Sequence, residues 1–139
     1  MSDLKQRQRR FWVGVWNEGN LALIDEHIAD DFVDHDPALL FEVRGKAGVR
    51  QLVTFYRGAF PDLRMHIDEL LQDGDRVVMR WTATGTQTGA MGPIPATGRS
   101  VKITGTNVIR FDGTREAESW ANWDTLGMLQ QLGIVPKLG

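Results

Sequence analysis

The sequence predicts a single mixed α+β domain, and three observations carry that expectation. Apolar residues recur at helical spacing in three separate stretches of the first sixty positions. From Leu63 onward the period becomes two, and it stays so for about sixty residues. Leu126, Leu129 and Leu132 then return to helical spacing. A chain of 139 residues and 15.6 kDa fits one domain, 1–139, large enough to bury a core without disulfide or metal staples.

The first element, 4–16, places Leu4, Phe11, Trp12, Val15 and Trp16 on one side and Arg7, Arg9 and Arg10 between them. That pattern is an amphipathic helix whose aromatic face packs on a sheet. The polar run 17–20 stops it, and Asn20 is placed to cap a short second helix through Leu21, Ile24 and Ile28. Residues 30–37, Asp-Asp-Phe-Val-Asp-His-Asp-Pro, read as a loop or short strand with His35 at a pocket mouth. Carboxylates around one His can hold a metal, but no second imidazole stands at ligand spacing, so no metal site is expected. A third helix spans 45–60, with Val49, Leu52, Val53, Tyr56 and Phe60 on one face and Pro61 ending it. Tyr56 therefore points inward, where its hydroxyl needs a partner.

After Pro61 the strands begin. Leu63, Met65 and Ile67 share one face and His66 takes the other. A turn at 72–75 leads into a strand over 76–87, whose inward stripe is Val77, Met79, Trp81, Ala83, Gly85 and, by parity, Gln87. Two prolines keep 89–98 out of a central strand, and its Met91, Ile94 and prolines suggest a flap or a subunit contact. The strand over 101–111 turns Val101, Ile103, Gly105, Asn107, Ile109 and Phe111 to one side, with Asn107 the polar exception.

Asp112-Gly113 turns the chain into the last strand, and Asp124 stands where that strand gives way to the final helix. Alternation puts Asp124 on the face of Trp120 and Asn122. Two readings stay open: a helix cap, or a carboxylic acid held among indoles, where desolvation raises its pKa and suits it to proton transfer.

A formal charge of -2 and a pI near 5.9, with basic residues scattered beyond the amino-terminal cluster, argue against nucleic acid and anionic membrane surfaces as partners. No cysteine is present, which excludes disulfides, thiol nucleophiles and cysteine zinc sites. There is no apolar run of bilayer length and no signal-like segment, so a cytoplasmic location is expected. Five tryptophans exceed what a small core requires, and such aromatics line pockets for flat organic ligands. Trp12 and Trp16 would then close one wall.

The inward polar candidates are His35, Tyr56, Gln87, Asn107, Asn122 and Asp124, set among Trp12, Trp16, Trp81 and Trp120. They offer one carboxylate for proton transfer, a His partner of near-neutral pKa, and donors for an enolate oxygen. No nucleophile elbow, phosphate-cradling loop or dinucleotide fingerprint occurs, so the compatible chemistry is cofactor-free proton abstraction beside a carbonyl. The expected ligand is a small apolar or aromatic carbonyl compound. The outward stripe of Thr82, Thr84, Thr104, Thr106 and Val108 predicts a homodimer through the sheet.

The terminal pattern Glu118-x-Trp120-x-x-x-Asp124-x-x-Gly127-x-x-x-Gln131-Leu132-Gly133 resembles the signature of SnoaL-like polyketide (ester) cyclases. Gly45-x-x-Gly48, Phe60-Pro61-Asp62-Leu63, Gly74-Asp75-Arg76-Val77, Gly85-Thr86-x-x-Gly89, Pro95-Ala96-Thr97-Gly98-Arg99 and Arg110-Phe111 agree with it in order. The resemblance implies the nuclear-transport-factor-2-like fold, a cone-shaped curved antiparallel sheet with three to four helices around a pocket. It also implies aldol ring closure with an Asp as acid/base, assisted by His. The chain departs from the pattern at Gln87 and Asn107, where cyclases carry His, and the family carboxylate aligns with Ala121 or with Asp124. An isomerase, dehydratase or epoxide hydrolase, or a non-catalytic binding or dimerisation module, would fit the same scaffold.

Overall fold

The structure, a computed structural model describing residues 3–39 and 41–137, is a curved, open six-stranded sheet with four helices. The elements run α1 (Asp3–Glu18), α2 (Ala22–His27), β1 (Ile28–His35), β2 (Val43–Arg44), α3 (Gly45–Ala59), β3 (Arg64–Asp73), β4 (Arg76–Thr86), β5 (Ser100–Asp112), β6 (Arg115–Trp123) and α4 (Thr125–Gln131). Strand order is β2-β1-β6-β5-β4-β3.

The four strands expected from alternation form one antiparallel run, β3 to β6. Residues 28–35 add a strand that pairs parallel to β6, so the sheet is mixed rather than wholly antiparallel. Its acidic composition hides a strand: Asp30, Asp31 and His35 face solvent while Ile28 and Phe32 are buried, which is the burial rhythm of an edge-proximal strand. The second helix is shorter than expected, because Ile28 already has extended backbone and begins β1. Asn20 does not cap it; the N-cap position is Leu21, which makes no side-chain cap bond.

Two devices seat α1 across the concave face. The Asn17 side chain pairs with the Met65 backbone as a strand neighbour would, its Nδ2 donating to Met65 O at 3.0 Å and its Oδ1 accepting from Met65 N at 2.6 Å. At the other end the Arg7 guanidinium donates to Thr114 O in the β5–β6 turn at 2.8 Å. The core collects Phe11, Trp12, Val15 and Trp16 from α1, Val49 and Val53 from α3, and the inward stripes of β4 and β5. Gly105, opposite Trp81 in the ladder, makes room for that indole: a Cβ there would lie 2.2 Å from the ring.

The 89–98 segment is less exposed than its composition suggests. Met91 is buried and bridges Ile94, and Gln87 staples the loop. Gln87 Oε1 accepts from Thr97 N and Oγ1 while Nε2 donates to Pro95 O. No helix among the described residues is long and apolar enough to cross a membrane.

Candidate active site in the sheet cavity

The concave face of the sheet and helices α1 and α3 enclose a cavity of about 110 Å³. Helix α1 presents Gln8, Trp12 and Trp16 to it, spaced i, i+4, i+8 and hence stacked along one stripe. An almost continuous aromatic wall results. Trp12 lies 6.0 Å from Trp81 and 5.7 Å from Trp16 between ring centroids; Trp16 lies 6.5 Å from Tyr56, and Tyr56 stands perpendicular to Trp123 at 5.9 Å.

Against this apolar wall stand three carboxyls. Strand β1 turns Asp34 inward and the chain beyond it adds Asp36, while β6 supplies Glu116. Burial, reinforced by Asp36, pushes the Asp34 carboxyl up to about 7. The Ser119 hydroxyl, opposite Asp34 in the parallel ladder, opposes that shift as a hydrogen-bond partner. Asp34 Oδ1 has no protein partner. Burial and then the neighbouring Asp34 raise Glu116 to about 8, with Arg7 acting in the opposite direction. Glu116 faces inward because β6 carries an extra residue: Arg110 pairs with Glu118 and Phe111 with Glu116, which leaves Ala117 as a bulge.

A directed chain of donors leads toward Asp34 and ends at its neighbour Ser119. Trp81 Nε1, which can only donate, donates a hydrogen bond to Asn107 Oδ1 at 2.9 Å and thereby fixes the amide. Asn107 Nδ2 then donates to Ser119 Oγ at 3.4 Å, which leaves the Ser119 hydrogen free to serve Asp34. Asp36 is differently occupied. It accepts from Ala38 N at 2.9 Å and from Trp123 Nε1 at 3.0 Å, so although burial raises its pKa, both oxygens already have donors. Burial, and then Asp36, also raises the Tyr56 hydroxyl above its usual value. Trp12, which lines the cavity, keeps its Nε1 buried without a hydrogen-bond partner.

Of the residues singled out in the sequence, Trp12, Trp16, Tyr56, Trp81 and Asn107 line this cavity. Gln87 is 0% exposed, but it is spent on the 95–97 loop. Trp120, Asn122, His35 and Asp124 do not line the cavity. The face of β6 expected inside is the outer one, because Ser119, Ala121 and Trp123 turn in instead. Trp120 satisfies its indole outside, stacked on His35 at 5.5 Å and covered by the Arg76 guanidinium at 5.1 Å. His35 Nε2 pairs with Glu118 at 2.7 Å on that same face, its side chain 46% exposed. Asp124 is exposed and caps α4, its Oδ1 accepting from Gly127 N at 2.8 Å. Asn122 and Asp124 border a shallow depression beside Arg80, Thr104 and Thr106.

Sequence reasoning passed over Gln8, Asp34, Asp36, Glu116 and Ser119. Phe32-x-Asp34-x-Asp36 carried a usable signal, since a buried Phe marks the face its i+2 neighbours share. Glu116 carried none, because its orientation depends on the bulge. Among the described residues no group of three or more His, Asp or Glu is placed to hold a metal ion.

The profile of the family described as SnoaL-like polyketide cyclase matches residues 6–132. The fold superposes on a proposed polyketide cyclase from Acidithiobacillus ferrooxidans at 38% identity and TM-score 0.85, covering 95% of each chain. IdmH, a proposed polyketide cyclase from Streptomyces antibioticus, is 28% identical with TM-score 0.80, over 95% of this chain and 99% of that one. AclR, a proposed hydroxylase from Streptomyces galilaeus, is 27% identical with TM-score 0.81, over 99% and 87%. The sequence matches none of the curated proteins.

Proposed function

The chain belongs to the SnoaL-like polyketide cyclase family, and from that premise we propose that it is a cofactor-independent acid/base enzyme acting on a small carbonyl compound. One observation carries the reading: Asp34, its carboxyl raised to about 7, holds an unpartnered oxygen in an aromatic cavity. A group of that pKa is ionised often enough at neutral pH to accept a proton and acidic enough to return it. Asp34 takes a proton from the carbon beside the carbonyl. The enolate oxygen that forms accepts a hydrogen bond from the free Trp12 Nε1–H, a donor fixed before reaction. The enolate carbon then attacks a second carbonyl of the same molecule, closing a ring, and Asp34 gives its proton to the new alkoxide. Returned to a different carbon, the same proton gives an isomerisation. In this reading Asp34 takes the role that Asp124 was expected to fill, and Asn107 positions Asp34 through Ser119 instead of standing in for an assisting His.

The test is deuterium exchange at the α-carbon of small aryl ketones, followed by proton NMR. Asp34→Asn keeps the shape and should slow exchange by roughly two to four orders of magnitude. Asp124→Asn should leave it unchanged. Exchange that survives Asp34→Asn in a folded protein overturns the assignment.

A further inference from the structure

The end of the cavity nearest the β5–β6 turn has more acceptors than the protein itself can satisfy. Gln8 Oε1, Asp34 Oδ1 and Glu116 Oε2 are all buried without a hydrogen-bond partner. Gln8 is 1% and Glu116 4% exposed, and both line the cavity. The Gln8 amide is turned so that Nε2 donates to Met79 Sδ at 3.6 Å, and its oxygen is left buried without a donor. Among the described residues no Lys, Arg or His lines the cavity, whereas Asp34, Asp36 and Glu116 do. Arg7, the nearest cation by its influence on Glu116, spends its Nε on Thr114 O.

Buried acids with no cation in the cavity lining, only Arg7 acting from outside it, and buried acceptors without a donor are both costly. A ligand that brings a cation and several N–H donors at one end removes both costs, and aromatic rings around it add attraction. A ligand bearing a carboxylate or phosphate would do the reverse. Size narrows the class further: an engineered cavity of about 150 Å³ in another protein takes a benzene ring, so about 110 Å³ sets an upper limit of one ring, and a short arm requires the side chains around it to give way.

We propose that the cavity holds an ammonium subsite formed by Glu116 Oε2 and Gln8 Oε1, and that its ligand is a primary arylalkylamine, an aromatic ring carrying its amine on a short saturated arm. This rests on the reading of the cavity as a substrate pocket, and makes that substrate an amine-bearing carbonyl compound. Asp34 Oδ1 stays free for the reacting proton. Five charged or titratable groups set the pH response: Asp34, Asp36 and His35 around β1, Glu116 on β6 and Arg7 on α1. An entering ammonium favours the ionised acids, so binding releases protons and tightens as pH rises from about 5.5 to 8.5, while an amine of lysine-like pKa stays charged.

Calorimetry with three probes of similar shape tests this without turnover: phenethylamine, 2-phenylethanol and 3-phenylpropionate, each in buffers of different ionisation enthalpy. At pH 8 the amine should bind about tenfold or more tighter than the alcohol and should release protons, whereas the carboxylate should not bind. Glu116→Gln should erase the preference for amine over alcohol, and Gln8→Leu should reduce it, both in proteins of native circular dichroism. Equal binding of alcohol and amine, binding of the carboxylate, absence of amine binding at millimolar concentration, or an amine preference that survives Glu116→Gln overturns the subsite. Ketone exchange lost to Asp34→Asn while these results fail leaves the proton-transfer reading standing alone; the converse leaves the subsite alone.

Discussion

Glu116 and Glu118 lie two residues apart on one strand, yet the fold drives them in opposite directions. Glu116 faces the cavity, and burial followed by the nearby Asp34 raises it to about 8. Glu118 faces outward, where His35 and then Arg110 hold its carboxyl below the usual value. Regular alternation would put both on the same face. The bulge at Ala117 separates them. One inserted residue thus converts a solvated, paired carboxylate into a buried acid that holds its proton near neutrality, and the side of the sheet, not the residue type, decides the chemistry.

The largest expected effect that sharpens this contrast is on stability. Glu116 holds its proton from its unfolded value near 4.5 up to about 8 in the fold, and Asp34 does so from 3.8 to about 7. Their contribution is fully present below those unfolded values and is lost as pH rises through 7 to 8. Buried His27, whose pKa is lowered by burial first and Arg7 next, works oppositely by disfavouring the fold below about 6.5. Urea midpoints for wild type and Glu116→Gln should converge near pH 5. By pH 8.5 they should separate in favour of Gln, which never ionises, by an amount equivalent to a few kcal/mol of unfolding free energy. Parallel midpoints across that range would refute a buried proton on Glu116.

A smaller effect is expected one link along the donor chain. Ser119→Ala removes a partner that lowers the Asp34 pKa, so the rising limb of the ketone-exchange pH profile should move to higher pH. An unmoved limb with a merely reduced rate would mean that Ser119 does not touch the base. On the outer face, Glu118→Gln breaks the pairs with His35 and Arg110. Because these side chains are partly exposed, thermal melts should differ little from wild type, and the difference should vanish near 1 M salt.

The long periodic segments were legible from sequence because their burial alternates strictly: the stripes of β4 and β5 appear in the core as read. So were the helical walls, with Trp12, Trp16 and Tyr56 placed on the cavity. The acids were far less legible, Asp34 and Asp36 only through their parity with Phe32 and Glu116 not at all, for two physical reasons. A carboxylate run reads as solvated surface, and nothing local reveals that Asp34 pairs in the parallel ladder with Ser119 of β6, far along the chain. A bulge, moreover, reverses parity without changing composition. Trp120 misled for a third reason. A tryptophan usually marks the buried face, but here a histidine ring and a guanidinium cover it outside.

Asp124 gives the smallest expected effect and the cleanest separation of site from scaffold. Its side chain accepts from the Gly127 backbone N–H, and the close approach needs glycine: a Cβ on Gly127 would lie 2.1 Å from Asp124 Oδ2. An N-cap oxygen satisfies one of the donors left free in the first helical turn, and asparagine supplies that oxygen nearly as well as aspartate. Asp124→Asn should therefore leave the unfolding midpoint and ketone exchange both close to wild type. Asp124→Ala should cost about 1 kcal/mol of stability with exchange per folded molecule retained. The same asparagine substitution at Asp34 keeps the shape as well but removes the base. If Asp124→Asn instead lowered exchange in a protein of unchanged stability, the shallow outer depression it borders with Arg80 and Asn122 would have to carry chemistry, and the division between a reactive inner face and a structural outer face would fall.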